Sequence, residues 1–284
     1  MLIETMIWSG CSIPFGTGMV YEANQQVNEA VEWWHPKFYE VFPDVKTIGQ
    51  AREAVKQISY PIQLGKRLGM DTYNLSISGF GIESQLRTVS SFILNNKDKI
   101  DYTKTMFCYQ IPELSRVELL NYPRHKLSGI EQSKFFEFSG TALPKDFLLK
   151  HFHVDFYTAK YLMKLVEYRG FLESRGIKVF FFDMYKRDKP VDFVNHRNLG
   201  WYESKSDEFM IDSMLNFNHW NHEDDQMKFP SVESILKELD IQIPVDVDDI
   251  ETIREAGFQD DAHFSPNGHT QLADIYEKFF KEKL

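Results

Sequence analysis

The 284-residue chain predicts an α/β fold in which a mostly parallel sheet is joined by crossover helices. Two observations predict it. Short apolar runs of strand length recur along the chain, and most end at small or turn-forming residues. The stretches between several of them carry apolar residues at helical spacing, which is the alternation expected of parallel strands and their connecting helices. Composition agrees: 43% hydrophobic and 26% charged residues, with 15 Gly and 11 Pro, describe an ordinary globular chain that can bury a sizeable core. The length allows about two domains on average, but the order of the segments favours one α/β domain, residues 1–284, with insertions at about 115–152 and 184–258.

The elements follow in order. Thr5 to Trp8 is a strand stopped by Ser9-Gly10, and Thr72 to Ile77 is a second, stopped by Ser78-Gly79. Between them Ile58, Ile62, Leu64 and Leu68 mark a crossover helix, with Pro61 suited to its first turn and Gly65 and Gly69 weakening its end. Ile82, Leu86, Val89 and Ile93 mark the next helix, and Lys104 to Tyr109 a third strand that ends at Gln110-Ile111-Pro112. Residues 115–152 lack a clean period, are rich in turn signals and hold Phe135, Phe136 and Phe138, so they read as an insertion. Tyr157 to Arg175 is a long helix, and Gly176 introduces a buried strand from Ile177 to Phe182. Residues 184–258 hold a single clear helix, Ser231 to Leu239, and read as an active-site flank or lid. Leu272, Ile275, Tyr276 and Phe279 give a last helix from Pro266 to Phe280, with Ser265 available as its cap.

Several function classes are disfavoured at once. With 32 Lys plus Arg against 42 Asp plus Glu, the formal charge is −10, and no basic run exists to neutralise a phosphate backbone, so nucleic acid is not an expected partner. Apolar runs such as Val179 to Phe182 are far shorter than the roughly 20 residues that span a bilayer, so no membrane association is expected. The N-terminus has no basic residue ahead of its apolar stretch and does not read as a secretory signal. Cys11 and Cys108 fit neither a zinc site nor a disulfide framework, and a reducing, cytoplasmic location is the expectation.

Two segments at opposite ends of the chain carry reactive chemistry. Gly10-Cys11-Ser12 follows the first strand directly, and a serine there holds its hydroxyl over the carboxyl end of a parallel sheet, where open α/β folds place ligands. Neighbouring backbone N–H groups can face a developing oxyanion. The competing reading is a simple Gly-Ser turn. The second segment, Asp260 to His269, immediately precedes and enters the last helix. An Asp three residues ahead of His263 can fix the imidazole tautomer while the ring accepts a proton from a serine. The competing reading is a capping turn in which Asp260 or Asp261 satisfies backbone donors and His263 packs. His269 is assigned to helix packing.

In this order the two segments resemble the first and last blocks of the SGNH, or GDSL-like, hydrolase superfamily. The resemblance extends through Ser59-Tyr60-Pro61, Leu64-Gly65, Leu68-Gly69 and Tyr73-Asn74-Leu75-Ser76-Ile77-Ser78-Gly79. It covers the sheet-forming parts of residues 3–110 and 177–182 together with 256–280, and leaves both insertions uncovered. It implies a flavodoxin-like, three-layer α/β/α form with Ser12 as nucleophile, His263 as general base and then acid, and Asp260 as the residue orienting His263. The Ser12 and Gly79 amides would hold the oxyanion.

Two departures from the family pattern matter. The common Gly-Asp-Ser is Gly-Cys-Ser here, similar to phage-encoded members, and Cys11 reads as a small buried residue beside the nucleophile. The Gly-x-Asn-Asp block is missing after the third strand, where the chain reads Tyr109 to Arg116. Its oxyanion donor would have to be replaced by the side-chain amide of Gln110 or the charged donor of Arg116.

Other candidates point elsewhere. His219, His222, Glu223, Asp224 and Asp225 have metal-ligand types at no standard spacing and read as a solvated acidic loop, so no metal is expected. Trp33-Trp34-His35-Pro36 and Trp201-Tyr202 suit either a sugar-stacking rim or core packing. Gly16-x-Gly18 lacks the third glycine of a dinucleotide fingerprint, and no cofactor is expected. The expectation is a serine esterase acting on acyl esters of a small molecule or carbohydrate, including O-acetyl groups. Its competitors are an inactive SGNH-like binding or virion-associated protein and an acyltransferase to an acceptor other than water.

Overall fold

The computed structural model describes residues 2–10, 14, 16, 54–77, 81–112, 117–121, 134–138, 154–183, 232–245, 264 and 266–284. Four strands form one sheet: β1 (Thr5–Ser9), β2 (Asp71–Asn74), β3 (Thr105–Gln110) and β6 (Lys178–Phe182), in the order β2-β1-β3-β6. All three pairings are parallel, with Trp8 opposite Asn74 on one side and Cys108 on the other. β3 is buried at every position because it has neighbours on both edges and helices on both faces.

Alternation along the strands sorts the helices into two layers. Ile7, Phe107, Tyr109, Val179 and Phe181 face α2 (Ile82–Asn95), α3 (Val154–Glu173) and α4 (Val232–Leu239). Met6, Trp8, Met106, Cys108, Phe180 and Phe182 face α1 (Tyr60–Leu68) and α5 (Pro266–Lys283). The result is the three-layer α/β/α arrangement expected of the strand and helix order. On the α1/α5 face Trp8 stacks on Phe182 at 5.5 Å and meets Tyr60 and Tyr276 edge-on, each at 5.2 Å.

Local sequence explains the helix limits. Proline occupies the first turn of α1, and Gly69 closes it in a left-handed conformation, φ +68°, with the Met70 N–H donating to the Gly65 carbonyl. Gly65 has a further role, because a Cβ there would lie 1.7 Å from Thr72 Oγ1 on β2. The helix rests on the strand only because that position has no side chain. α2 buries Ile82, Leu86, Val89 and Ile93, the positions its spacing predicts.

Three differences from the sequence reading stand out. β2 ends at Asn74, although Leu75 and Ile77 continue the ladder by donating to the Trp8 and Gly10 carbonyls at 2.7 and 3.1 Å. β4 (Val117–Asn121) and β5 (Lys134–Phe138) pair antiparallel in a separate two-stranded sheet inside the stretch read as aperiodic. Consecutive apolar residues such as Leu119-Leu120 and Phe135-Phe136 hide the two-residue alternation that would have marked them. The segment after α4 also returns to the sheet: the Gln242 N–H donates to the Phe181 carbonyl and the Asp183 N–H to the Gln242 carbonyl, lining the open edge of β6. Among the described residues, no helix is long and apolar enough to cross a membrane.

Candidate active site

The crossover from β1 to β2 runs over one face through α1, and that from β2 to β3 over the other through α2. The chain therefore diverges at the carboxyl ends of β1 and β3, the topological switch point where open α/β sheets bind ligands. Gly10 leaves β1 at this point and Gln110 is the last residue of β3.

Close contact explains the glycine. A Cβ at Gly10 would lie 2.7 Å from Pro14 Cγ and 3.0 Å from both the Cβ and the carbonyl oxygen of Gln110. Only glycine lets the chain turn away from β1 against β3. Gln110 is 1% exposed, and its Oε1 accepts a hydrogen bond from the Tyr60 hydroxyl at 2.8 Å. With the oxygen engaged, the Nε2 protons are the donors this side chain has to offer.

Tyr60 joins this corner to the far end of the chain. Its backbone N–H, at the start of α1, donates to His269 Nδ1 on α5 at 3.2 Å, and the two rings stack at 5.8 Å. His269 is fully buried, so it packs α5 against α1. Phe264 belongs to the same core as Trp8 and Tyr60, and Arg67 of α1 forms ion pairs with Asp274 and Glu277 of α5. The described residues next to the two reactive segments, Gly10 and Pro14 around Ser12 and Phe264 and His269 after His263, thus belong to a single packed corner.

Asn74, at the end of β2, completes it. Its Nδ2 donates to the Pro14 carbonyl at 2.6 Å and to Ser59 Oγ at 2.8 Å, and its Oδ1 accepts from the Ser76 N–H at 3.1 Å. Sequence reasoning assigned no role to Asn74, Tyr60 or the buried Asp183 after β6. The first two did lie in segments that carried the family resemblance, and that was their only signal.

Of the residues singled out for chemistry, only Gln110 is described. Ser12, Gly79, Arg116, Asp260, Asp261 and His263 lie outside the described residues, as do Cys11, Ser265, the Trp33–Pro36 and Trp201-Tyr202 aromatics and the acidic loop around His219. Cys108 is fully buried in β3, and burial pushes its thiol well above the ordinary range, which leaves it without nucleophilic character.

No family model matches the chain, and no curated protein matches it. Among solved structures it is similar to a carbohydrate esterase whose active site is described as displaying divergent catalytic and non-catalytic binding functions. That match has 11% identity and a TM-score of 0.41, covering 99% of this chain and 69% of the other. It is also similar to an acetyl xylan esterase from the rumen bacterium Butyrivibrio proteoclasticus, with 10% identity and a TM-score of 0.46. There the match covers 100% of this chain and 65% of that one.

Proposed function

We propose that this protein is a serine esterase of SGNH type that hydrolyses acyl esters, O-acetyl groups on carbohydrate among them. One observation carries the reading: Gly10, the glycine of Gly-Cys-Ser, is wedged against Gln110 at the switch point of the sheet, on the corner to which Tyr60 ties the start of α5. Phe264 packs in the same core as Tyr60 and Trp8, and in sequence Gly10 and Phe264 flank the nucleophile and the histidine of this reading.

In this reading Ser12 Oγ attacks the ester carbonyl as His263 takes its proton, with the Asp260 carboxylate holding the imidazole in the required tautomer. The negative charge that develops on the carbonyl oxygen is met by the Ser12 and Gly79 amides. Gln110 Nε2 is the third donor, favoured over Arg116 because Tyr60 already holds the carboxamide by its oxygen. Collapse of the adduct breaks the bond to the alcohol, which leaves with the proton from His263. Water, deprotonated by the same ring, then releases the acid and restores Ser12. Such a donor is worth about 3 to 4 kcal/mol of transition-state stabilisation in a characterised hydrolase, so replacing the missing block matters to the rate.

Turnover of 4-nitrophenyl acetate tests the reading. Ser12→Ala abolishes it without lowering the melting temperature; an unchanged rate rejects the assignment.

A further inference from the structure

We propose that Asn74 is a positioning residue that locks the turn carrying Ser12 to the segment carrying Gly79, so that the two oxyanion amides are held in one register. The inference rests on the hydrolase reading above and adds to it a residue that never touches substrate.

The geometry points to it because one carboxamide spans three separate pieces of chain. Asn74 is buried on the α1 face of the sheet, where it reaches Pro14, two residues past Ser12, and Ser76, three residues before Gly79. Its third partner, Ser59 Oγ, donates to the Lys56 carbonyl at 2.5 Å just ahead of α1 and must therefore accept from Asn74. The orientation of the amide follows from chemistry. The Pro14 carbonyl can only accept and the Ser76 N–H can only donate, so the nitrogen faces Pro14 and the oxygen faces Ser76. Both Nδ2 protons and the oxygen are engaged, and no other uncharged side chain of this length presents two donors and an acceptor in one plane.

The arrangement bears on rate because a catalytic group displaced by about 1 Å loses on the order of a hundred-fold. The backbone hydrogen bonds from Leu75 and Ile77 fix the post-β2 segment to β1 without Asn74. The bond to Pro14 holds the post-β1 turn to that segment from the other side. Loss of this bond removes that tie while the strands stay paired.

Asn74→Asp is the discriminating substitution. It keeps the acceptor for the Ser76 N–H but turns a carboxylate oxygen toward the Pro14 carbonyl, which it repels. With 4-nitrophenyl acetate as substrate, kcat falls about a hundred-fold and KM changes far less. A second signature separates positioning from plain loss of stability. The ratio of variant to wild-type kcat rises as the pH is lowered from about 8 to about 5, because the protonated carboxyl of the variant regains a donor for Pro14. Val89→Ala, buried on the opposite face of the sheet, is the stability control: its melting temperature falls while kcat is retained. If Asn74→Asp does not fold, Asn74→Ser, uncharged and too short to reach both Pro14 and Ser76, gives the same loss of kcat. An active wild type whose kcat survives the substitution at Asn74 overturns this inference alone. A wild type without Ser12-dependent turnover overturns the hydrolase reading and this inference with it.

Discussion

The two faces of the sheet bury similar numbers of strand residues but use polar groups for opposite ends. On the α2/α3 face the polar contacts join helix to helix: the Tyr168 hydroxyl donates to the Leu86 carbonyl, the Ser90 hydroxyl donates to Tyr168, and Lys164 pairs with Glu83. On the α1/α5 face Tyr60 also joins helix to helix through His269, but two further buried contacts reach the carboxyl ends of the strands: Tyr60 to Gln110, and Asn74 to Pro14 beyond β1. Hydrogen bonds contribute about 1 kcal/mol each wherever they are made. Their position decides whether they support stability alone or also aim a segment at a ligand. Under the esterase proposal, the contacts at the α1/α5 corner serve the site and those on the opposite face serve cohesion.

Substitutions on the two faces should separate these roles. The largest effect on stability is expected from Leu162→Ala, which empties a fully buried site on the α2/α3 face. It costs about 3 kcal/mol by chemical denaturation and leaves kcat for an acyl ester unchanged while the protein is folded. Tyr60→Phe removes one hydroxyl from the other face and strands the buried Gln110 oxygen, at a cost of about 1 to 3 kcal/mol. Here kcat falls as well, by about ten-fold, because the Gln110 amide is no longer aimed. Equal activity losses in the two variants would erase the distinction between the faces.

Glu83→Gln has the smallest effect. Burial alone would raise the Glu83 pKa, but the hydrogen bond from Lys164 and the charges of Lys160 and Lys164 outweigh it and hold the carboxyl below the ordinary glutamate range. A folded-state pKa below the unfolded one stabilises the protein above the unfolded value, and this contribution is lost as pH falls through the folded value. Wild type therefore exceeds Glu83→Gln by less than about 1 kcal/mol at neutral pH, and the gap closes on acidification below about pH 4. A gap that persists in acid would point to packing instead of charge.

The same comparison shows what was legible in the sequence. The strands and helices were readable because burial on both faces imposes periods that survive in one dimension, as in Ile82, Leu86, Val89 and Ile93. His269, assigned to helix packing, is buried and meets the start of α1. β4 and β5 were not readable, since adjacent apolar residues conceal their alternation. The clamp at Asn74 was invisible for another reason: its partners lie 60, 15 and 2 residues away, and nothing in a carboxamide's identity specifies which carbonyl it will meet. Gln110 was proposed as a donor only as one replacement, beside Arg116, for the Gly-x-Asn-Asp block that the resemblance leads one to expect, and the tyrosine that orients it belongs to a helix 50 residues earlier. Periodic constraints can be read locally, whereas turn-fixing contacts depend on the assembled sheet.

Mapping the adduct of a fluorophosphonate probe by mass spectrometry tests the central claim most directly. The account predicts a single adduct on Ser12 in the wild type, with a labelling rate that collapses in His263→Ala while the melting temperature holds. An unlabelled Ser12, or a labelling rate indifferent to His263, would contradict it.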